Sequence, residues 1–128
     1  MKEPSENQIQ AAFFHWCALN EKKHPALSLI FAVPNGSHKS PAARSLFKAT
    51  GLKSGVPDVC CPVRGSLRKR PYIGLFLEFK SKKGVLSETQ KVWIEALQNA
   101  GHRVEICRDW VSAANVVNEY LGLGMVIV

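Results

Sequence analysis

Two acidic residues stand alone inside the most basic part of this sequence. The segment 39–83 carries 11 of the 17 lysines and arginines but only two of the ten acidic residues, Asp58 and Glu78. Its net charge is therefore +9, while the rest of the chain is −2. A local excess of this size suits a polyanion such as nucleic acid. A basic surface that serves only solubility explains the charge equally well, so charge alone leaves both explanations open.

The spacing of the two acids suggests a metal site. Residues 72–80 alternate as a strand does, which places Glu78 and Lys80 on one face. Asp58 lies on the preceding predicted strand, just after the Gly-x-Pro kink, so it approaches Glu78 if the two strands are neighbours. Two converging carboxylates repel each other unless a cation lies between them, and their oxygens suit Mg²⁺ or Mn²⁺. Such an ion polarises a phosphoryl oxygen and activates water, and Lys80 can orient that water or stabilise the charge that develops on the phosphate.

Each of these residues also has an ordinary structural explanation. An Asp after Pro is commonly a turn residue, Glu-x-Lys on a strand is commonly a solvated face, and Glu6 suits the first turn of a helix through the helix dipole. The conjunction of Asp58, Glu78 and Lys80 in one basic segment favours the functional interpretation. A protein that binds nucleic acid without cutting it remains the alternative.

Hydrophobic periodicity predicts eight elements in the order α-β-α-β-β-α-β-α. Capping boxes at Ser5 and Ser87 and an Asp109 cap begin three of the helices, and Pro41 begins the fourth. The predicted strands cover residues 27–33, 55–63, 72–80 and 102–107. Two strands joined by the basic loop 64–71 most simply form a hairpin. This pattern indicates an α/β fold in which a mixed sheet carries helices on both faces.

The remaining features exclude several classes of protein. The 128 residues fit one domain, 1–128, and 46% of them are hydrophobic, as expected of a globular chain. No apolar run is long enough to cross a bilayer, so we expect a cytoplasmic protein with no membrane partner. The sequence contains neither a P-loop nor a G-x-S-x-G nucleophile motif.

The chain resembles the VRR-NUC family of PD-(D/E)xK nucleases. The central motif is Gly55-x-Pro57-Asp58 followed by Glu78-x-Lys80. Further blocks match in order over residues 5 to 121: Ser5-Glu6 with Ile9-Gln10, Pro34-Asn35-Gly36, Gly51, Gly84-x-Leu86-Ser87-x-x-Gln90 and Gly101. The short central motif is degenerate, whereas the ordered set of blocks is much more specific.

This resemblance implies a fold, a site and a substrate. The fold would be a restriction-endonuclease-like core, a central mixed sheet flanked by helices. Asp58, Glu78 and the Phe79 carbonyl would hold the metal, and Lys80 would be the catalytic lysine. Glu6 would reach the site from the first helix, and Gln90 would lie beside it. The family's stand-alone members imply a homodimer that cuts branched DNA, such as four-way junctions, in recombination, replication or repair.

Given this resemblance, we expect cations of the basic segment to contact DNA phosphates. Such contacts position nucleic acid without reading its sequence, so we expect selection by shape. The residues assigned to nucleic-acid binding are Lys53, Arg64, Arg68, Lys69, Arg70, Lys82 and Lys83.

Overall fold

The computed structural model describes residues 2–34, 40–66 and 71–127. The elements follow the predicted order, with one additional 3-10 helix, Pro25–Leu29. The helices are α1 (Glu6–Asn20), α2 (Pro41–Ala49), α3 (Glu88–Asn99) and α4 (Trp110–Leu121), and the strands are β1 (Phe31–Ala32), β2 (Val59–Cys61), β3 (Leu75–Phe79) and β4 (Arg103–Cys107). The predicted turn at 34–36 falls largely outside the described residues.

The four strands form one mixed sheet in the order β1-β2-β3-β4. β2 pairs antiparallel with both β1 and β3, which confirms the predicted hairpin, and β4 pairs parallel with β3. The start of β2 therefore lies at the same end of the sheet as the ends of β3 and β4. We call this the site end. The opposite end, where the loop 62–74 joins β2 to β3, is the hairpin end.

One face of the sheet builds the hydrophobic core. Leu75, Leu77 and Phe79 point to this face and are almost fully buried, as their alternation predicted. The Phe79 ring lies against Phe13 of α1, with 5.6 Å between the ring centroids. α1 also packs against α4, which buries Val117 completely. The opposite face carries Glu78 and is approached by α3, so helices flank both faces of the sheet.

The strands are shorter than predicted because proline and glycine interrupt them. The predicted strand 27–33 begins instead as a 3-10 helix, since Pro25 fixes φ in the helical range, and only Phe31–Ala32 pairs as a strand. The predicted strand 55–63 pairs only over Val59–Cys61. Gly55 there has a φ of +90°, and Pro57 has no N–H to donate to a neighbouring strand.

The predicted helix caps are confirmed. Ser5 and Ser87 each form a complete capping box, and Asp109 accepts a hydrogen bond from the Ser112 N–H. After α4, the tail folds back because the Asn118 amide both donates to and accepts from the backbone of Met125. Among the described residues, no helix has the length and apolarity needed to span a membrane.

Candidate active site

Asp58 is fixed at the site end by the backbone of the neighbouring strand. Its Oδ2 accepts a hydrogen bond from the Phe79 N–H at 2.7 Å, and its own carbonyl accepts one from the Val33 N–H. The preceding kink needs glycine. A Cβ on Gly55 would lie 2.5 Å from Thr89 Cγ2 and 3.0 Å from the Thr89 backbone. The kink that aims Asp58 is therefore packed directly against the first turn of α3.

Glu78 is a buried carboxyl with one oxygen that has no hydrogen-bond partner. Its residue is 1% exposed, which rules out the solvated-face explanation. Oε2 accepts from the Gln90 side chain at 3.3 Å, whereas no hydrogen bond to Oε1 occurs among the described residues. An oxygen left in this state is costly in a protein interior, so it marks a place where a further ligand fits.

The environment of Glu78 favours its protonated form. Burial, the Asp58 charge and a hydrogen bond shared with Asp58 together raise the pKa of Glu78 to about 8. The charge of Lys80 opposes this rise in pKa, and that of Glu6 adds slightly to it. The two carboxyls thus converge as their spacing predicted, and Glu6 and Lys80 lie close enough for their charges to shift the pKa of Glu78.

Gln90 has two tasks at the start of α3. Its Oε1 accepts from the Ser87 N–H at 2.9 Å, which completes the capping box. This bond orients the amide so that its Nε2 donates to Glu78. A local helix cap therefore positions a side chain that holds the buried carboxyl.

Lys80 and Glu6 meet at a tight turn formed by residues 81–84. Lys80 is 8% exposed, although it is a lysine at the end of a strand. A Cβ on Gly84 would lie 3.2 Å from Glu6 Oε2 and 3.3 Å from Lys80 Cδ. Glu6 itself is exposed at the start of α1. The turn therefore packs closely against both residues.

Arg108 is a residue at this end that the sequence analysis missed. Its Nη1 donates to the carbonyls of Ser81, Lys82 and Gly84, at 2.7, 3.2 and 2.9 Å. No sequence signal could have revealed it, since its partners are backbone atoms and a single arginine after a strand forms no motif.

The predicted nucleic-acid contacts divide between the two ends of the sheet. Lys53, Lys82 and Lys83 are exposed on connections that lead to or from the site end. Lys82 also lies 4.0 Å from the exposed Glu3 carboxylate. Arg64 is exposed in the loop at the hairpin end. Arg68, Lys69 and Arg70 lie outside the described residues.

The site offers some of the oxygen donors that a hard divalent cation needs. Across residues 2–34, 40–66 and 71–127, no group of three or more His, Cys, Asp or Glu side chains could hold a metal ion. Asp58 and Glu78 nevertheless present converging carboxyls, one with an oxygen free of hydrogen bonds. The Phe79 N–H points to Asp58, and in an extended strand the carbonyl of the same residue points to the same side. Mg²⁺ commonly takes one or two protein carboxylates and keeps several waters, so this donor set suits it.

The comparisons with known proteins agree with this geometry. The VRR-NUC domain model matches residues 2–110. A solved structure described as a VRR_NUC domain protein is similar over 96% of this chain and 93% of its own, with 28% sequence identity and a TM-score of 0.72. A search of curated proteins gives no match. The family match covers most of the chain and includes Asp58, Glu78 and Lys80, and the fold is the one this family implies. The chain therefore belongs to the VRR-NUC domain family and has its nuclease-like fold.

Proposed function

We propose that this protein is a metal-dependent endonuclease that hydrolyses phosphodiester bonds in DNA. The observation that carries the proposal is the buried Glu78, which has one oxygen without a hydrogen-bond partner and whose carboxyl lies close to that of Asp58. A buried carboxyl that lies beside a second carboxyl is costly to the fold unless a ligand uses it. Polar groups in this state are therefore more common at functional sites than in structural cores.

Asp58, Glu78 and the Phe79 carbonyl would hold Mg²⁺ or Mn²⁺. When bound, such an ion supplies Lewis acidity at the scissile phosphate and a water of lowered pKa. The chain's own groups prepare the site for it. The Phe79 N–H fixes Asp58, and the Gln90 amide fixes Glu78.

Lys80 supplies positive charge beside the two carboxyls. Its ammonium group would orient the attacking water or stabilise the charge that develops on the phosphate. Burial of its stem and the close packing of Gly84 restrict its side chain. Glu6, at the solvent side of the same turn, is placed to act through water.

We further propose that the substrate is branched DNA, such as a four-way junction, and that the active form is a homodimer in the cytoplasm. The resemblance to stand-alone VRR-NUC nucleases supports this choice. A dimer with two-fold symmetry also matches a junction with two equivalent scissile phosphates. The exposed cations at both ends of the sheet suit contacts to phosphates, which select shape rather than sequence.

A cleavage assay tests this function. The purified protein is incubated with a labelled four-way junction, a flap, a duplex and single strands, each in Mg²⁺, Mn²⁺ or EDTA. We expect nicks on branched DNA in the presence of metal and none in EDTA. Binding without cleavage under every metal condition would instead support the non-catalytic alternative. Light scattering at the assay concentration measures whether the active species is a dimer.

A further inference from the structure

Arg108 gathers three backbone carbonyls around one nitrogen. The carbonyls belong to Ser81, Lys82 and Gly84, and the donor is a single Nη1 atom with two hydrogens, so at least one hydrogen is shared. Three carbonyl dipoles that point at one place repel each other unless a positive group lies between them. The turn 81–84 therefore depends on the charge of Arg108 for its shape.

The guanidinium is held from a rigid part of the molecule. Arg108 directly follows β4, whose last carbonyl, that of Cys107, accepts from the Lys80 N–H at 3.0 Å. Asp109 follows at once and caps α4. The backbone of Arg108 is thus fixed on both sides, and its side chain transmits that rigidity to a turn with no regular structure.

The same turn packs against two of the proposed active-site residues. A Cβ on Gly84 would make tight contacts with Glu6 Oε2 and Lys80 Cδ, at 3.2 and 3.3 Å. A second bond closes the turn, from the Gly84 N–H to the Ser81 carbonyl at 3.1 Å. If the three carbonyls were released, the turn would move away, and the Lys80 stem would lose the surface that restricts it.

We propose that Arg108 is a positioning residue of this site, acting through the turn 81–84 on Lys80. The inference rests on the proposed nuclease function for its kinetic consequence but not for its structural one. Arg108 then contributes to the rate of the chemical step and little to DNA binding. Positioning residues that act through a second group typically change activity by about 10- to 100-fold.

Two measurements on Arg108→Gln and Arg108→Lys test the proposal. The first is hydrogen exchange of peptides that contain Gly84. We expect exchange to rise clearly in the Gln variant and to change much less in the Lys variant, since an ammonium group keeps the charge and has three donors. The second is steady-state cleavage, where we expect kcat to fall about 10- to 100-fold in the Gln variant, with KM within about threefold and partial rescue by lysine.

Arg103→Gln is the matched control. Arg103 begins the same strand at the hairpin end, where its Nη1 lies 3.4 Å from Glu119. The Arg103→Gln variant loses the same charge at a side chain that does not hold the turn. We therefore expect unchanged exchange at Gly84 and unchanged kcat. Thermal unfolding of all variants identifies any loss of the fold, and the Lys variant keeps the test valid if the Gln variant is unstable.

The outcomes separate the two proposals. Unchanged exchange at Gly84 in Arg108→Gln would overturn the positioning role, and so would a rise in KM at constant kcat, which indicates a direct phosphate contact. If the wild-type protein cleaves no DNA, the proposed function fails, while the exchange experiment still decides whether Arg108 holds the turn.

Discussion

The two ends of the central sheet hold their buried polar side chains in different surroundings. At the hairpin end, Tyr120 donates through its hydroxyl to the Val63 carbonyl, and the Tyr120 carbonyl accepts from the Ser66 hydroxyl and N–H. These groups tie a loop to a helix, although the buried His102 Nδ1 at this end has no hydrogen-bond partner. At the site end, Glu78 is as deeply buried as Tyr120, but it has one oxygen without a partner and lies beside the Asp58 carboxyl.

This difference distinguishes polar groups that stabilise the fold from polar groups that serve a function. A buried polar group that is fully paired holds the fold, whereas one that is left unpaired beside a like charge destabilises it. Glu78 and Asp58 belong to the second kind, and their conjunction at one end is what a stability argument alone does not explain. Substitutions at the two ends should therefore have opposite consequences for activity and stability.

The largest expected effect is the loss of cleavage when either carboxylate is neutralised. Metal ions supply several kcal/mol of transition-state stabilisation, so Asp58→Asn and Glu78→Gln should each reduce the cleavage rate in Mg²⁺ on the order of 10³-fold. Both amides are nearly isosteric with the acids, and the amide introduced by Asp58→Asn keeps an oxygen that can accept from the Phe79 N–H. Cleavage of a labelled four-way junction measures the loss.

Glu119→Gln is the control for this experiment. It removes the same charge at the hairpin end, where Glu119 is exposed and pairs with Arg103. We expect its rate to stay within about twofold of the wild type. Equal losses at the two ends would contradict the assignment of the site to Asp58 and Glu78.

The second effect concerns stability. Replacing the Glu78 carboxyl, which should abolish most cleavage, should make the metal-free protein more stable at high pH. The pKa of Glu78 is about 8 in the folded protein against an ordinary value of 4.5. Between these values the folded chain holds a proton that the unfolded chain has lost. The free energy of unfolding should therefore fall as pH rises through this window, by at most about 1.4 kcal/mol per pH unit.

Comparison with Glu78→Gln isolates this contribution. Urea unfolding in EDTA at pH 5, 6, 7 and 8 should show the variant gaining stability relative to the wild type as pH rises. Added Mg²⁺ should stabilise the wild type most at high pH, where the carboxyl is ionised and binds the ion. Parallel curves for the two proteins would contradict the shifted pKa.

Sequence reasoning predicted the chemistry of the site because local patterns encode it. The alternation of β3 separates Leu77 and Phe79 from Glu78, and the S-x-x-Q pattern at Ser87 places Gln90 at the start of a helix. Both features depend on neighbours in the chain, so they are legible in one sequence. The family resemblance supplied the restriction-endonuclease-like core and the place of Glu6.

The features that sequence reasoning missed depend on backbone atoms of distant segments. β2 is short partly because Pro57 cannot donate, and the Asp58 carboxylate takes the Phe79 N–H that a neighbouring strand would otherwise use. Arg108 binds only carbonyls, which no residue type specifies. The separation of Arg64 from the site was deducible, since an antiparallel hairpin places its loop at the end opposite Asp58.

The third effect distinguishes two helix caps with the same local structure. Ser5 with Gln8 and Ser87 with Gln90 both form capping boxes, but only Gln90 also donates to a carboxyl. Glutamate serves a capping box as well as glutamine does, so Gln8→Glu and Gln90→Glu should both keep their helices. Gln90→Glu removes the donor to Glu78 and adds a third carboxylate, so we expect a loss of cleavage of about 10- to 100-fold.

Melting temperature and cleavage rate measured side by side test this distinction. Gln8→Glu should leave both nearly unchanged. Gln90→Glu should lower the rate and, because it leaves the buried Glu78 without its donor and beside a further carboxylate, should also lower the melting temperature. A rate equal to that of the wild type would mean that Gln90 serves only as a cap.

The smallest effect is on the salt dependence of DNA binding, and it tests whether the two ends share one substrate. β3 spans five residues, or about 16 Å, which is about five phosphate spacings along one strand of a duplex. A single DNA arm can therefore contact both ends.

Replacing Lys82 and Lys83 with glutamine should flatten the slope of log K against log salt by up to about 1.8, and replacing Arg68, Lys69 and Arg70 by up to about 2.7. The exposed Lys22 and Lys23, outside the basic segment, are the control pair. If replacing Arg68, Lys69 and Arg70 leaves the slope unchanged while replacing Lys82 and Lys83 alters it, these three cations make no contact with the DNA, and their charge serves solubility.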